Sequence, residues 1–437
     1  MLALLATRRF GPLFATQFLG AFNDNLFKTT MLFEIAYRLL AGNLAASATL
    51  VTAAAGLFIL PFFLFSGISG QLSDGVDKAR VMRAVKLAEL GILGVGAVAL
   101  WLGSIPLLFA VLFGMGCHST VFGPVKYAVL PQHLAPRELL GGTGLVEGGT
   151  FVAILLGQIT GGLLPTIWAG TTMLVAAGLG IATSRQIPAA PPLGVPAGID
   201  WNPWTASRAV LRGAFGSRVV WRATLAISWF WAVGSVYTSE FVPLVQGQLA
   251  ASTAVATLFL VTFTLGIAAG SGGVAKLLGG RVSATAAPWA VLAMALGSID
   301  LVFAIRAASG VHAVNEVGAG GIGTAAFLAS PANWRVLADL FALAAAGGVF
   351  SVPLYALLQT TGSAGSRAQT IAANNIVNAA FQVGGTLLAG LAIARGVPIA
   401  LVLGAVGVSG LLLWPLLRSL TLPPPTAKQA PDSGAAI

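Results

Sequence analysis

The feature that most constrains this chain is a succession of apolar segments, each about as long as a helix that crosses a membrane. Such a helix needs about 20 residues, and twelve segments of this kind fit between residues 10 and 418. Hydrophobic residues make up 57% of the sequence and charged residues only 8%, against roughly 25% charged residues in ordinary soluble domains. The sequence therefore predicts an all-α polytopic membrane protein.

The longest polar stretch inside the chain, residues 185–220, is rich in proline and divides the predicted spans into two groups of six. We expect an N-terminal six-helix bundle over residues 1–184, a linker over 185–220, a C-terminal six-helix bundle over 221–418 and a disordered tail over 419–437. The predicted spans are 10–40, 48–70, 83–103, 105–130, 143–167, 169–184, 221–246, 252–278, 284–306, 334–358, 367–393 and 397–418.

An internal repeat relates the two groups of spans. Sliding the second group over the first at an offset of 228 residues aligns Tyr127 with Tyr355 and Gly157 with Gly385 without a gap. Two parallel six-helix halves, with an even total number of spans, are typical of the major facilitator fold. The sequence predicts that fold, with twelve transmembrane helices in two pseudo-symmetric bundles.

The basic residues predict the orientation of the chain. Most of the 23 Lys and Arg residues lie at the N-terminus, in the even-numbered connections, Lys86 among them, or in the tail, whereas Arg38, Arg306 and Arg395 lie on the opposite side. Because positive residues stay in the cytoplasm, we expect both termini there. A nucleic-acid surface would need these bases on one soluble face, so the net charge of +10 does not indicate nucleic acid as a partner.

The first span carries charged residues in "QFLGAFNDNLFKTTMLFEIAYRLL". A charged side chain at mid-bilayer is costly and faces a protein interior or a watery cavity. Asp24 and Lys28 are four residues apart on one helix face, so two hypotheses stand: with Asn25 they bind a substrate, or they neutralise each other between helices. For Glu34 and Arg38, near the end of the span, we expect an interfacial ion pair.

The fifth span has a polar stripe that includes Glu147 and Thr150. At the repeat offset, the eleventh span places Asn375, Asn378 and Gln382 on the matching stripe. We expect both stripes to face a central cavity, acidic in the first half and amide in the second. Each of these side chains is a candidate substrate ligand.

Two further segments carry candidate residues near the cytoplasmic ends of spans. Lys126, in "FGPVKY", either anchors the fourth span at the membrane surface or contacts an anionic headgroup. In "GQLSDGVDKARV", between the second and third spans, Asp74 near a helix terminus and the bases Lys78 and Arg80 can form a conformational gate that locks one half against the other.

The sequence contains no phosphate-binding loop of the ATPase type and only one cysteine, Cys117. A single cysteine excludes an intramolecular disulfide and a multi-cysteine metal site. We therefore expect no enzyme activity, no metal and no cofactor.

Taken together, "QFLGAFNDNLFK", "HSTVFGPVKYAVLPQ", "GLVEGGTFVAILLGQITGG", "VPLYALLQ" and "AANNIVN", with the loop above, resemble the bacterial lysophospholipid transporter family. The resemblance implies inward movement of lysophospholipids, chiefly lysophosphatidylethanolamine, across the inner membrane for reacylation. The other partners that it implies are the surrounding membrane lipids. It implies transport roles for Asp24, Lys126, Glu147 and Asn375. Because no acyltransferase segment follows the last span, we expect any acyltransferase or acyl-carrier-protein synthetase partner to be a separate protein.

Two alternatives stay open at this point. One is a proton-coupled exporter of amphiphilic drugs with the same fold, in which Asp24 or Glu147 titrates. The other is a non-transporting membrane scaffold for a lipid-modifying enzyme. A buried polar stripe in each half favours transport over the scaffold, since a scaffold does not need buried Glu147 and Asn375.

Overall fold

The computed structural model describes residues 1–40, 44–194, 198–312 and 321–421. These residues are helical apart from short connections, the stretches 185–194 and 198–202, and one isolated β-bridge between Ala251 and Ile322. Residues 422–437 of the predicted tail lie outside the described residues, whereas its first three residues, 419–421, end the last helix. We number the long helices α1 to α12: Gly11–Phe33, Leu44–Gly75, Lys78–Leu102, Ile105–Ala128, Pro136–Leu163, Thr166–Ser184, Arg218–Gln248, Thr253–Leu277, Ala287–His312, Pro331–Thr360, Arg367–Ala394 and Ile399–Thr421.

The remaining elements are short. They comprise Leu2–Ala6, a π-helical turn at Glu34–Leu39, Leu130–His133, Pro203–Gly216, Ala284–Ala286, Thr324–Ala329 and Ala364–Ser366, together with a 3-10 turn at Ser409–Leu413 within α12.

Among the described residues, eleven helices are long and apolar enough to cross a membrane. They are α2 to α12, and the first helix falls outside this group because Gln17, Asn23, Asp24, Asn25 and Lys28 lower its apolar character. With α1 as the remaining long helix, the arrangement is consistent with the twelve predicted spans. The predicted all-α membrane architecture is confirmed.

The two groups of six helices pack in the same way. In the first group α1 packs against α5 and α6, and α3 packs against α4 and α6; in the second, α7 packs against α11 and α12, and α9 packs against α10 and α12. A chain that builds the same contacts twice is what the internal repeat predicts. The packing agrees with the predicted major facilitator fold.

The groups meet along two further symmetry-related pairs, α2 with α11 and α5 with α8. Gly144 permits the second contact, because a Cβ at this position would lie 2.3 Å from the carbonyl oxygen of Ser271 on α8. Small residues allow membrane helices to approach this closely. Both contacts lie toward the end of the bundle that carries the described chain termini, which we call the terminal face.

The opposite end of the bundle shows the expected interfacial ion pair. Arg38 pairs with Glu34, and Thr166 at the start of α6 donates a hydrogen bond of 2.8 Å to the Glu34 carboxylate. Arg38 is largely exposed while Glu34 is buried. The prediction for this pair is confirmed.

Candidate functional site

Polar side chains from both halves converge between the two bundles. The first half contributes α1, α4 and α5, and the second contributes α7, α10 and α11. Of these helices, α5 and α11 carry the polar stripes that were predicted to face a central cavity. The contacts below show which predicted residues come together.

Asp24 lies between α1 and α4. Its carboxylate accepts a hydrogen bond from the Ser119 hydroxyl, and the Nδ1 atom of His118 lies 3.9 Å from its other oxygen. The side chain keeps 14% of its surface exposed, while its Oδ1 atom is buried and has no hydrogen-bond partner among the described residues. The hydrogen bond from Ser119 therefore holds α1 against α4 and leaves the other carboxylate oxygen without a partner.

A buried charged cluster lies behind Asp24. Lys86 pairs with Glu89 on α3, the Nε2 atom of His118 lies 3.1 Å from Glu89, and the Asn23 amide donates a hydrogen bond of 2.9 Å to the same carboxylate. The Lys86 and Glu89 side chains are fully buried. We refer to Lys86, Glu89, His118 and Asn23 as the α3 cluster.

The prediction that Lys86 is one of the orienting bases of a connection is wrong, because its side chain is fully buried in an ion pair with Glu89. Lys86 lies inside α3 because the helix begins at Lys78, two turns before it. A pair of opposite charges three residues apart within an apolar segment was the signal that could have identified it.

Lys28 and Asn25 do not join Asp24. Among the described residues, Lys28 has no carboxylate within 4.0 Å of its ammonium, which lies 5.4 Å from the centre of the Phe58 ring. The Asn25 amide donates a hydrogen bond of 2.9 Å to the Ala21 carbonyl of its own helix, and its Cβ packs beside Gly157 of α5. Asn25 thus lies at the contact between α1 and α5.

Lys126 lies near the terminal-face end of α4. Its ammonium is 3.5 Å from the Thr150 hydroxyl on α5, which in turn donates a hydrogen bond of 2.9 Å to Gln17 on α1. Lys126 is within electrostatic reach of both Asp24 and Glu147. One base therefore lies near two acids from neighbouring helices.

Glu147 lies under a pair of stacked tyrosines. Tyr127 donates a hydrogen bond to the Glu147 carboxylate and stacks on Tyr355 of the second half, with 4.7 Å between the ring centres. Trp231 of α7 donates a hydrogen bond of 2.7 Å to the Tyr355 hydroxyl. The two tyrosines that the repeat offset aligns are thus in contact at the boundary between the halves.

The amide stripe of α11 makes neutral contacts. Asn378 accepts a hydrogen bond of 2.7 Å from Ser228, and Gln382 accepts one of 3.0 Å from Ser235, both from α7. Asn375 is half-buried and turns its amide toward Gly123 of α4. The stripe therefore faces α7 at two positions and the first half at one.

The charged groups near the site divide into two classes. The Lys86 and Glu89 pair is closed, whereas within the described residues neither Lys28 nor Lys126 has a carboxylate within 4.0 Å and Glu147 has no basic group within that distance. Opposite charges that are near one another but not paired can receive a ligand that carries both signs.

The predicted gate residues have different partners. Asp74 accepts hydrogen bonds from the backbone N–H groups of Ala368 and Gln369, at 3.1 and 3.0 Å, so it caps the start of α11 from the other half. Lys78 is buried within electrostatic reach of Asp74. Arg80 is exposed, and its backbone N–H binds Asp77, which caps α3.

Comparison with known proteins agrees with the fold. The family model for the Major Facilitator Superfamily matches residues 13–313. The protein named Lysophospholipid transporter LplT from Citrobacter koseri is 27% identical over 424 residues, which cover 92% of this chain and 94% of that protein. The protein of the same name from Photorhabdus laumondii is 27% identical over 372 residues, which cover 82% and 81%.

Solved structures show the same fold at low identity. The human organic anion transporter MFSD10 superposes with a TM-score of 0.71 at 16% identity, covering 93% of this chain and 99% of that one. A bacterial homologue of the iron transporter ferroportin, in an outward-facing state, superposes with a TM-score of 0.68 at 14% identity, covering 94% and 100%. At these identities the likeness supports the helical arrangement alone.

Proposed function

Because the chain belongs to the Major Facilitator Superfamily, we propose that it is a transporter that moves lysophospholipids, chiefly lysophosphatidylethanolamine, across the inner membrane of a bacterium. One observation carries the proposal: the Lys126 ammonium lies 4.9 Å from the centre of the Tyr127 ring, whose hydroxyl binds Glu147, and among the described residues no carboxylate lies within 4.0 Å of that ammonium. A zwitterionic headgroup needs this combination, a base for its phosphate and an acid for its ammonium. The names of the relatives, lysophospholipid transporters, support the same substrate.

In this proposal Lys126, with Lys28, receives the phosphate, and Asp24 or Glu147 receives the ethanolamine ammonium. Thr150 orients Lys126 through their contact. Asn375, Asn378 and Gln382 line the opposing wall and offer neutral hydrogen-bond partners to the glycerol and the phosphate oxygens. The single acyl chain stays in an apolar crevice between the halves and leaves through a lateral opening, so it never enters water.

The two halves rock against each other, so that the site opens alternately to one side of the membrane and to the other. The contacts between them lie toward the terminal face, where Asp74 caps α11 and the stacked tyrosines lie beside Glu147. Closure at this face is the arrangement of a carrier that is open to the opposite side. For the site to open toward the terminal face, the hydrogen bonds between Asp74 and α11 and the stacking of Tyr127 on Tyr355 must break.

The terminal face is the cytoplasmic face in this proposal, because basic residues concentrate in its connections. A lysophospholipid that arrives there meets the enzymes of the cytoplasm, so reacylation falls to a separate acyltransferase. Transport then ends with the cargo in the leaflet that this enzyme can reach.

The test is transbilayer movement of lysophosphatidylethanolamine in liposomes that contain the purified protein, with and without an imposed proton gradient. We expect gradient-independent movement, reduced roughly a hundredfold or more by Lys126→Glu, because the variant loses a charge-assisted contact and repels the phosphate. Asp24→Asn is expected to lose most of the movement as well. Arg281→Glu, a charge reversal at an exposed position of the terminal face, is the matched control.

Normal movement by Lys126→Glu would remove Lys126 from the site. If the purified, folded protein moves no lysophospholipid in either condition, the substrate is wrong. Movement by the purified protein alone excludes the scaffold.

A second function, proton-coupled export of amphiphiles, is favoured by one observation. His118 lies between two carboxylates, 3.1 Å from Glu89 and 3.9 Å from Asp24, as a group that passes protons between them would. In that case amphiphile transport depends on the proton gradient, and Glu147→Gln or His118→Gln abolishes the dependence. Gradient-independent movement of the lysophospholipid decides against it.

A further inference from the structure

The helix Pro203–Gly216, which we call the linker helix, has two faces of different character. One face packs against α2 and α11 and buries Ala206, Ser207, Val210 and Ala214. The side chains opposite them are exposed, and they are Arg208, Arg212, Trp204 and Phe215. Two arginines one turn apart thus lie beside two large aromatic side chains on an exposed surface; Trp204 is 73% exposed, and Phe215 packs on one side against Trp221, with 4.1 Å between the ring centres.

The packing of the linker helix fixes its depth. A Cβ on Gly67 of α2 would lie 2.4 Å from the backbone nitrogen of Ser207, so the two backbones touch at this point. Gly67 lies eight residues, or about 12 Å, before the end of α2 at Gly75. Since α2 has 32 residues, or about 48 Å, and a bilayer with its headgroups is about 40–45 Å thick, the contact lies near the boundary between headgroups and hydrocarbon.

The start of the segment agrees with this depth. The backbone N–H of Asp200 donates a hydrogen bond of 2.8 Å to the Gln71 side chain, one turn nearer the helix end than Gly67. Asn202 then caps the linker helix by accepting from the backbone of Trp204 at 3.0 Å. The helix is therefore held beside the bundle at membrane level.

The aromatic and basic side chains at this level can contact different parts of a membrane lipid. Tryptophan is enriched where headgroups meet acyl chains, and arginine forms paired hydrogen bonds to phosphate oxygens. A helix with a basic stripe beside an aromatic stripe is typical of one that lies in the interface of an anionic membrane.

We propose that the exposed face of the linker helix is a binding site for an anionic phospholipid of the leaflet at the terminal face. Arg208 and Arg212 hold the phosphate, and Trp204 and Phe215 pack against the upper part of the acyl chains. The site is separate from the transport site and does not depend on which cargo the protein carries.

The position of the linker helix connects lipid binding to the contact between the two halves. The helix contacts both α2 and α11, the two helices that Asp74 joins across the halves. A lipid that holds the linker helix against this pair stabilises the closed terminal face. Anionic lipid is therefore expected to raise the thermal stability of the state described above.

The first test measures retention of phosphatidylglycerol and phosphatidylcholine on the purified full-length protein by native mass spectrometry. Wild type is expected to retain phosphatidylglycerol preferentially. The double variant Arg208→Gln/Arg212→Gln is expected to bind this lipid with an affinity reduced roughly tenfold or more, because each basic residue near the surface contributes to the attraction. Arg185→Gln/Arg281→Gln removes the same charge from exposed positions of the same face and is expected to retain wild-type affinity. Equal loss in both variants, or equal retention of the two lipids by wild type, would overturn the proposal.

The second test needs no arginine variant. Brominated lipids quench tryptophan on contact, so brominated phosphatidylglycerol in nanodiscs should quench wild-type fluorescence more than that of Trp204→Phe, and brominated phosphatidylcholine should not show the difference. If Trp204→Phe leaves quenching unchanged, Trp204 does not touch the lipid and the site is wrong. Displacement of the lipid by inorganic phosphate alone would identify a free-anion site instead and would also overturn it.

Discussion

The two halves of the molecule share a helical arrangement but not a polar chemistry. The first half contains Asp24, Lys126 and Glu147 near the site, with the α3 cluster behind them, whereas the corresponding helices of the second half offer Asn378 and Gln382 bound to serine hydroxyls. A repeat thus preserves packing while its halves specialise. In the proposed mechanism, the first half recognises the charges of the headgroup and the second half supplies neutral hydrogen-bond partners.

The largest expected effect concerns the α3 cluster. Glu89→Ala leaves Lys86 buried without its counter-charge, and breaking a buried ion pair costs about 3–5 kcal/mol of folding free energy. We expect the melting temperature of the purified protein to fall sharply. Lys86→Met/Glu89→Gln, which removes both charges of the pair, should recover much of the loss.

The control for this comparison lies in the second half. Asp300 pairs with Arg335, but both side chains are about half exposed, so the protein does not enclose this pair as it encloses Lys86 and Glu89. Asp300→Ala is expected to shift the melting temperature little. Equal shifts in Glu89→Ala and Asp300→Ala would mean that the buried charges of the first half are not special to its stability.

An intermediate effect is expected at the contact between the halves. Asp74→Ala removes the cap of α11, which is worth about 1–2 kcal/mol, or a five- to thirtyfold shift toward an open terminal face. Ala372→Cys, in a chain with Cys117→Ala, reports the opening, because Ala372 is buried beside Gly70 on the opposing helix. A membrane-impermeant thiol reagent should label it faster in the Asp74→Ala variant.

Asp77→Ala is the matched control, since Asp77 caps α3 and binds the backbone of Ala190 without touching α11. It should leave the labelling rate of Ala372→Cys near its original value. If both aspartates change the rate equally, the loop acts through α3 and not through the cap between the halves.

The sequence predicted the fold further than it predicted contacts. Hydrophobic length and the proline-rich linker predicted the helical spans and the major facilitator fold because these depend on patterns along the chain. Helical periodicity placed Glu147 on a polar stripe for the same reason. It could not place Asn25, which turns to α5, or pair Asp24 with Ser119 instead of Lys28, because the choice of partner is made by helices that are distant in sequence.

The same limit explains the loop between α2 and α3. The sequence predicted that the loop of Asp74 locks one half against a helix end of the other, but it could not identify that end as the start of α11, 294 residues away. Arg80 looked equivalent to Lys78 in sequence, yet one is exposed and the other buried, since α3 turns successive residues about 100° apart. The domain boundaries and the roles of the site residues stay predictions.

The smallest expected effect tests the neutral wall of the second half. Asn378→Ala removes one hydrogen bond to Ser228, a contact worth about 0.5–1.5 kcal/mol, so lysophosphatidylethanolamine movement should fall only two- to tenfold. Ser228→Ala removes the same bond from the other side, and the double variant should be no worse than either single variant, since the two changes share one interaction. The measurement is the initial rate in the liposome assay at equal protein content. If Asn378→Ala reduces the rate of movement as much as Lys126→Glu does, a neutral side chain of the second half contributes as much to transport as the base of the first half. The proposed difference in role between the two halves would then be wrong.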